Sequence, residues 1–456
     1  MIKHFFKAAY LRGKWEHQVL LTIDPEGRID NIQTDSAPGE AIQHSGYAVP
    51  GIPNVHSHAF QRAMAGLGEV AGPSDDSFWS WRKVMYKFLG QITPEDLQAI
   101  ADQLYMEMLK AGFTSVGEFH YLHHQPDGQP FGDRIEMSRR LAASAAKTGI
   151  QMTLLPVLYR FSGFGSKEPT EGQRRFIQTT DDFLTMVSLL KSADFGSADV
   201  AVGMAPHSLR ATDLEQLHAL NVALTQDMPL HIHIAEQMKE VEDCLAWSGK
   251  RPVEWLMANV DVDQRWCLIH ATHVTKDEVI AIAQSGASVG LCPITEANLG
   301  DGIFPINAFM EAGGQWGLGT DSNVNISLAE ECRTLEYGQR LKHLKRTLIA
   351  KRGSSNGKEL FDQALKGGSR ALRPLEKAGL TEGAFANFVV LDGEHVALAG
   401  RDTSSMFDSW FFGCGNGLVK DVYVRGTKVV SDGHHVYEEG ITKRFKTVMK
   451  RLAGNL

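Results

Sequence analysis

Short apolar runs that alternate with helical stretches constrain the fold of this chain more than any other feature of its sequence. Eight such runs are found, at 47–55, 112–119, 151–157, 200–204, 229–234, 266–270, 287–291 and 316–319. Plausible helices separate them, and one begins near Thr93-Pro94-Glu95, where a proline and an acidic residue follow a threonine. Eight strand–helix units in succession predict a parallel (β/α)₈ barrel. An open, doubly wound sheet is the alternative, but no glycine-rich phosphate loop follows the first run.

The two ends of the chain have a different pattern, in which short β-prone segments follow one another with tight turns between them. Such segments lie at 19–23 and 28–32 near the beginning, and at 388–391 and 422–425 near the end. We therefore expect residues 1–46 and 376–456 to form one small β-sandwich domain. Residues 47–375 are then the barrel domain.

Composition and charge narrow the range of partners. The 456 residues carry a net charge of −8, with basic and acidic residues intermixed. A nucleic acid or an anionic membrane would need a basic face, so we expect neither as a partner and expect a small-molecule substrate instead. No stretch approaches the roughly 20 apolar residues that cross a membrane. For the assembly we expect a homodimer, which is the commonest closed form.

The cysteines and the first residues of the chain indicate the cellular compartment in which we expect the protein. The five cysteines are odd in number and widely spaced, without a C-x-x-C pair. They suit neither a disulfide framework nor a cysteine zinc site, which favours a reducing cytoplasm. Lys7 and Arg12 interrupt the first apolar run, so we expect no signal peptide there.

Several of the predicted strands end on side chains that bind metals. His56-Ser57-His58 ends the first run, and residues i and i+2 of a strand point to one side. The sixth run stops at His270, and Asp321 follows the eighth. Since reactive groups of a barrel lie at the carboxyl ends of its strands, these side chains predict a site for divalent zinc, iron or manganese.

The fifth run offers a choice between two histidines. In Leu230-His231-Ile232-His233-Ile234-Ala235-Glu236, both imidazoles share one face of the strand. We choose His233 as the ligand because Glu236 follows it by three residues. His231 is then a packing residue or a support for the ligands.

The constellation of H-x-H, H-x-x-E, a histidine on strand six and an aspartate on strand eight resembles the amidohydrolase superfamily. Its deaminase branch uses one metal, whereas members with two metals place a carbamylated lysine at the end of strand four. Here that strand ends Gly203-Met204-Ala205-Pro206-His207, without a lysine. The resemblance therefore implies one metal held by His56, His58, His233 and Asp321, with zinc first and iron(II) as the alternative.

A narrower resemblance comes from particular segments. Residues 50–66, with the sequence PGIPNVHSHAFQRAMAG, and 118–124, EFHYLHH, are very similar to those of the formimidoylglutamate deiminases of histidine degradation. So are 205–210, 231–237, 268–273 and 319–323. One departure is Asn387, where the superfamily usually has aspartate.

That family hydrolyses N-formimino-L-glutamate to N-formyl-L-glutamate and ammonia. The resemblance implies that Asp321 accepts the proton of the attacking water, that His270 orients the nucleophile, and that Glu236 carries a proton to the departing nitrogen. The substrate's two carboxylates need donors, and arginine binds a carboxylate through two hydrogen bonds. By resemblance and position, the expected substrate contacts are Gln61, Arg82, Tyr121, His207 and Arg210.

Two other readings stay open from the sequence. A guanine or aminotriazine hydrolase of the same superfamily would bind a flat ring, and Phe60, Trp79 and Phe119 could stack on one. A non-catalytic barrel descended from such enzymes is the second alternative. Such scaffolds tend to lose ligands, whereas this chain keeps all four.

Overall fold

The structure, a computed structural model, describes residues 1–69, 85–86 and 88–454. The first residues form strands that belong to a sheet shared by both chain ends. They are β1 (Ile2–Leu11), β2 (Lys14–Ile23), β3 (Ile29–Gln33), β4 (Ile42–His44) and β5 (Tyr47–Pro50). β1 and β2 form an antiparallel hairpin, and the parallel strands β4 and β5 lie beside β1.

The next strands form the barrel. They are β6 (Ile52–Ser57), β7 (Phe113–His120), β8 (Gln151–Leu158), β9 (Val200–Val202), β10 (Ala205–Pro206), β11 (Leu230–Ile234), β12 (Trp266–His270), β13 (Ser288–Leu291) and β14 (Gln315–Leu318). Hydrogen bonds join them in the order β10-β8-β7-β6-β14-β13-β12-β11, and β9 with β10 makes up the fourth barrel strand. The barrel closes between strands four and five, where the His231 amide donates to the Met204 carbonyl at 3.0 Å. The predicted parallel barrel is thereby confirmed.

Helices connect the barrel strands. They are α1 (Pro94–Lys110), α2 (Glu136–Thr148), α3 (Thr180–Ser192), α4 (Leu214–Ala223), α5 (Met238–Ser248), α6 (Pro252–Asn259), α7 (Lys276–Ser285), α8 (Pro293–Leu299), α9 (Ile306–Glu311), α10 (Leu328–His343) and α11 (Asn356–Leu372). The helix predicted near Thr93 begins there, because Thr93 and Asp96 cap each other's backbone amides. Shorter 3₁₀ turns include Ala59–Met64, directly after β6.

The end of the chain returns to the first sheet. It contributes β15 (Phe388–Leu391), β16 (Val419–Val424), β17 (Thr427–Ser431) and β18 (His434–His435), with the short helix α12 (Met406–Ser409) and the long helix α13 (Glu438–Ala453). The sheet runs β18-β17-β16-β15-β5-β1-β2-β3, with β4 also on β1. The sandwich expected from the sequence is thus one continuous sheet, with an apolar core that includes Phe6, Val19 and Phe388. The domain boundaries at 46 and 376 stay a prediction.

The first predicted barrel strand, 47–55, is two strands that belong to different sheets. In β5, Ala48 pairs with Ala9 and with Val390, whereas Ile52 of β6 pairs with Phe113 of the barrel. Gly51 separates them, and a Cβ atom there would lie 2.2 Å from the side chain of Thr114. Only glycine fits so close a passage. The single apolar run concealed this change of sheet because both strands are buried.

Within the described residues, no helix is both long enough and apolar enough to cross a membrane.

Candidate active site

Four predicted ligands meet at the carboxyl end of the barrel. His56 ends its strand's apolar run, His58 follows that strand, His233 lies on β11, and Asp321 follows β14. One ligand atom of each lies within 4.8 Å of the other three. The Asp321 Oδ1 atom is 3.4 Å from His56 Nε2 and 3.3 Å from His58 Nε2. The four residues are at most 5% exposed, so the cluster is enclosed.

Neighbouring backbone carbonyls orient two of the imidazoles. His58 Nδ1 lies 2.9 Å from the Phe119 carbonyl, and His233 Nδ1 lies 3.1 Å from the His207 carbonyl. Each bond leaves Nε2 facing the cluster, and this second hydrogen bond is typical of histidines that bind metals. His233 Nε2 and His56 Nε2 are 2.9 Å apart. Two ring nitrogens aimed at each other and at a carboxylate suit a shared cation.

Electrostatics favour the protonation states that a metal needs. Burial lowers the pKa of His56 to about 3 and the pKa of His233 well below its usual value, so both rings are neutral and offer a lone pair. Burial alone would raise the pKa of Asp321, but hydrogen bonds from His56 and His58 outweigh it and hold that pKa well below its usual range. Neutral imidazole and ionised carboxylate are the ligand forms that bind zinc and iron.

Glu236 and His270 lie next to this cluster. His270 Nε2 is 3.6 Å from Asp321 Oδ2 and 3.9 Å from Glu236 Oε1, and its Nδ1 lies 3.3 Å from Glu296 Oε1. Burial would lower the pKa of His270, but the Glu236 charge, the Glu296 hydrogen bond and the Asp321 charge together raise it to about 10. Burial raises the pKa of Glu236, which the His270 charge opposes and the Asp321 charge reinforces. The neighbouring carboxylates therefore favour the charged form of His270, and burial makes Glu236 easier to protonate than an exposed glutamate.

The backbone is strained where these side chains leave the strands. Ala235, His270 and Asp321 have φ angles of +51°, +66° and +44°, in the left-handed region that residues other than glycine rarely occupy. Such conformations cost of order 1–3 kcal/mol each and persist where the surroundings impose them, which often marks a functional site.

A pocket of about 550 Å³ opens onto the cluster, and it collects most of the predicted substrate contacts. Four of them line it: Gln61, Tyr121, His207 and Arg210. Gln61 Nε2 donates to the Tyr121 hydroxyl at 3.1 Å, and the buried Gln61 Oε1 has no hydrogen-bond partner within the part of the chain that the structure describes. An enclosed acceptor of this kind suits an N–H group of a ligand. The fifth predicted contact, Arg82, lies outside the described residues.

The structure distinguishes between the two histidines of β11. His231 Nε2 lies 2.8 Å from the Ala371 carbonyl, away from the ligand cluster, whereas His233 lies within it. Both face the barrel interior, as the spacing predicted. They differ in depth along the barrel axis, and only the one nearer the strand's end reaches the site.

Sequence reasoning missed several residues of the site. Glu240 accepts hydrogen bonds from the amides of Ala235 and Glu236, at 3.2 and 3.3 Å. Its spacing of four from Glu236 was a usable signal, since residues four apart are neighbours on a helix. Glu118 accepts from the Ala59 amide at 2.6 Å and supports the segment after His58. Burial raises the pKa of Glu118 to about 7.

Aromatic rings that line the pocket were also missed. They are Tyr86, Tyr159 and Phe176. Phe176 lies in the connection between β8 and α3, where no strand or helix pattern assigns its position.

Comparison with known proteins agrees with this geometry. A sequence profile described as the amidohydrolase family matches residues 47–429. A formimidoylglutamate deiminase of Pseudomonas aeruginosa is 47% identical over 98% of this chain and 99% of its own length. The crystal structure of an amidohydrolase from Brucella melitensis, also 47% identical, superposes with a TM-score of 0.95 over 99% of this chain and 100% of that one.

A more distant structure shares the fold. An adenosine deaminase from Xanthomonas campestris with bound zinc is 19% identical and has a TM-score of 0.82, covering 99% of this chain and 98% of its own. At that identity the likeness concerns architecture alone. The profile match, the extended 47% identity and the ligand cluster at the strand ends lead to one conclusion: the chain belongs to the amidohydrolase family of hydrolases.

Proposed function

We propose that this chain hydrolyses N-formimino-L-glutamate to N-formyl-L-glutamate and ammonia, a step of histidine degradation. One observation carries the proposal. The pocket that holds the four-ligand cluster and Glu236 also holds Arg210, in a chain 47% identical over nearly its full length to a formimidoylglutamate deiminase. An arginine beside a hydrolytic site suits a substrate that carries carboxylates.

His56, His58, His233 and Asp321 would hold one divalent cation. We propose zinc, with iron(II) as the alternative, because three imidazoles and a carboxylate suit both ions. The cation supplies the nucleophile, since coordination lowers the pKa of water from 15.7 to about 7. The remaining chemistry belongs to the chain's own side chains.

Asp321 and His270 act on the attacking water. Asp321 Oδ2, the oxygen that faces His270 Nε2 at 3.6 Å, takes the water's proton as the formimino carbon is attacked. His270 carries a positive charge, because neighbouring carboxylates raise its pKa to about 10 in spite of burial. It therefore orients the water and stabilises the negative charge that develops in the tetrahedral intermediate.

Glu236 supplies the proton that the departing nitrogen needs. Burial raises the pKa of its carboxyl, with opposition from the His270 charge, so Glu236 takes up a proton more readily than an exposed glutamate does. Proton transfer to the terminal nitrogen breaks the C–N bond and releases ammonia. Ammonia needs two protons at this nitrogen, and water supplies both: Glu236 gives the first as the carbon is attacked, regains the proton that Asp321 took from the water, and gives it as the C–N bond breaks. The hydroxyl of the tetrahedral intermediate returns its own proton to the carboxylates, and the carbon keeps the new oxygen as a formyl group.

Polar residues on the pocket wall hold the rest of the substrate. Arg210 binds one carboxylate, and we assign the other to Arg82. Gln61 Oε1, which is buried and finds no hydrogen-bond partner among the described residues, accepts the substrate N–H, while Tyr121 and His207 complete the wall. A homodimer and a cytoplasmic location, both expected from the sequence, stay predictions.

Ammonia release from formiminoglutamate tests the proposal. Protein loaded with one equivalent of zinc should release ammonia from it, much less from the shorter formiminoaspartate, and none from guanine. Guanine turnover without formiminoglutamate turnover would overturn the proposal and favour the flat-ring alternative. If the zinc-loaded protein released ammonia from none of the three compounds, that result would favour the alternative of a non-catalytic barrel.

A further inference from the structure

A cysteine to which the proposed mechanism gives no role lies close to Asp321 and His270. Cys292 directly follows β13, between His270 at the end of β12 and Asp321 beyond β14. These are three consecutive barrel strands. One ligand atom from each of His270, Cys292 and Asp321 lies within 4.8 Å of the other two, and the three residues are at most 5% exposed.

The two oxygens of Asp321 face different partners. Oδ1 lies 3.4 Å from His56 Nε2 and 3.3 Å from His58 Nε2, whereas Oδ2 lies 3.6 Å from His270 Nε2. A carboxylate so placed can give one oxygen to each of two cations. Two-metal sites commonly hold their ions about 3.5–4 Å apart.

One ring nitrogen of His270 is left without a hydrogen-bond partner in the described part of the chain. Its Nε2 is fully buried and has no hydrogen-bond partner among the described residues, while Nδ1 lies 3.3 Å from Glu296 Oε1. A carboxylate behind the ring, with the other nitrogen left open, is the arrangement by which proteins orient a histidine ligand.

Buried carboxylates also surround the position of Cys292. Glu296 accepts a hydrogen bond from the Cys292 amide at 2.9 Å, and Glu331 accepts one from the Ile294 amide at 2.9 Å. Glu296 is 5% exposed and Glu331 fully buried. A cation at this position would lie near carboxyl groups that are shielded from water, and sulfur is a ligand that zinc binds readily.

We propose that His270, Cys292 and Asp321 form a second, inhibitory site for a thiophilic divalent cation such as zinc. On binding, the Cys292 thiol and the charged His270 ring each release a proton to solvent, and the sulfur and the ring nitrogen each donate an electron pair to the cation, without a redox change. Occupancy engages His270 Nε2 and Asp321 Oδ2, so excess zinc inhibits the enzyme. The inhibition rests on the proposed function of those two residues, whereas cation binding does not.

Cobalt(II) provides a direct test, because a thiolate bound to it absorbs in the near ultraviolet. Cobalt chloride is titrated into enzyme that already carries one equivalent of zinc. The wild type should develop the charge-transfer band, which saturates at one further equivalent. The band should be absent from Cys292→Ser and present in Cys267→Ser. The second variant is a matched control, because Cys267 and Cys292 belong to one small cluster of buried apolar residues. Cys292→Ala replaces the serine variant if that one fails to fold.

Zinc inhibition is the second readout. With formiminoglutamate as substrate, Cys292→Ser should keep its activity at one equivalent of zinc, and its half-inhibiting zinc concentration should rise at least about ten-fold, or roughly 1.4 kcal/mol. A wild type without the band, a band that persists in both Cys292 variants, or equal zinc inhibition of both enzymes would overturn the proposal. Failure of the proposed function would differ, since ammonia release would be missing while the cobalt band remained.

Discussion

The carboxylate of Glu240 joins Arg210 to the turn that carries Glu236. Its Oε2 atom lies 3.8 Å from Arg210 Nε, and its two oxygens accept the amides of Ala235 and Glu236 at 3.2 and 3.3 Å. The Glu240 side chain is fully buried. One residue in the first turn of α5 therefore holds both a proposed substrate anchor and a proposed catalytic acid in place.

Replacing Glu240 should disturb both functions together. In Glu240→Gln, Arg210 loses the nearby carboxylate charge and one of the two turn amides faces an NH₂ group, so KM should rise and kcat should fall. A charged hydrogen bond contributes about 1.5–3 kcal/mol, which corresponds to roughly 10–100-fold in kcat/KM. Steady-state kinetics check this. Glu242→Gln, an exposed change on the same helix, is the control, and its KM and kcat should match those of the wild type. Wild-type kinetics in Glu240→Gln would refute the positioning role.

Loss of Arg210 should mainly weaken substrate binding. Arg210→Ala removes the proposed partner of a substrate carboxylate, so KM for formiminoglutamate should increase about 10–100-fold. Metal content should stay at one equivalent, because Arg210 is not among the ligands. Kinetics and elemental analysis of the same preparation check both points. An unchanged KM would show that the carboxylate binds elsewhere.

Loss of the Glu236 acid should impair chemistry and spare binding. Glu236→Gln keeps the shape of the side chain but has no proton to give the leaving nitrogen. We expect kcat to fall about 10²–10⁴-fold, the usual contribution of general acid–base catalysis. Isothermal titration should still detect metal and substrate. A kcat near that of the wild type would remove Glu236 from the mechanism.

The terminal sheet contains a histidine pair that should make stability depend on pH. His4 Nδ1 lies 3.0 Å from His44 Nε2, and burial is the main cause that lowers the pKa of each to about 4. Their usual value is 6.5, so between pH 6.5 and about 4 the unfolded chain binds protons that the folded chain does not. Their contribution to stability is complete above this window and is lost as the pH falls through it.

The melting temperature, measured from about pH 7 down to about pH 5, checks this expectation. His44→Gln removes one titrating ring, so its melting temperature should fall less over that range than that of the wild type. His17→Gln is an exposed change in the same sheet, and its melting temperature should fall as much as that of the wild type. Equal falls in all three proteins would contradict the assignment to the pair.

Much of the barrel could be predicted because strand period and strand ends are local properties of the sequence. His56, His233 and His270 lie where apolar runs stop, and parallel strands place their carboxyl ends at one edge of the barrel. The sequence could not show that 47–55 changes sheets at Gly51, because burial in either sheet selects the same apolar residues.

Side-chain partners beyond the strand ends were harder to predict. The link between Glu240 and Arg210 depends on the left-handed turn at Ala235, a conformation that an alanine gives no reason to expect. Phe176 reaches the pocket from a long connection whose path is set by tertiary packing. To choose His233 over His231 one must know how deep each side chain lies along the barrel axis, and the alternation of a strand does not encode that depth.

Removing the metal and adding it back is the most direct test of whether hydrolysis depends on a cation held by the four-ligand cluster. Protein treated with a chelator and dialysed should contain no transition metal and release no ammonia from formiminoglutamate. One equivalent of zinc or iron(II) should restore activity in the wild type, whereas His233→Ala should neither retain the metal nor recover. Full activity in a preparation that elemental analysis shows to be free of transition metal would contradict metal-dependent hydrolysis at this cluster.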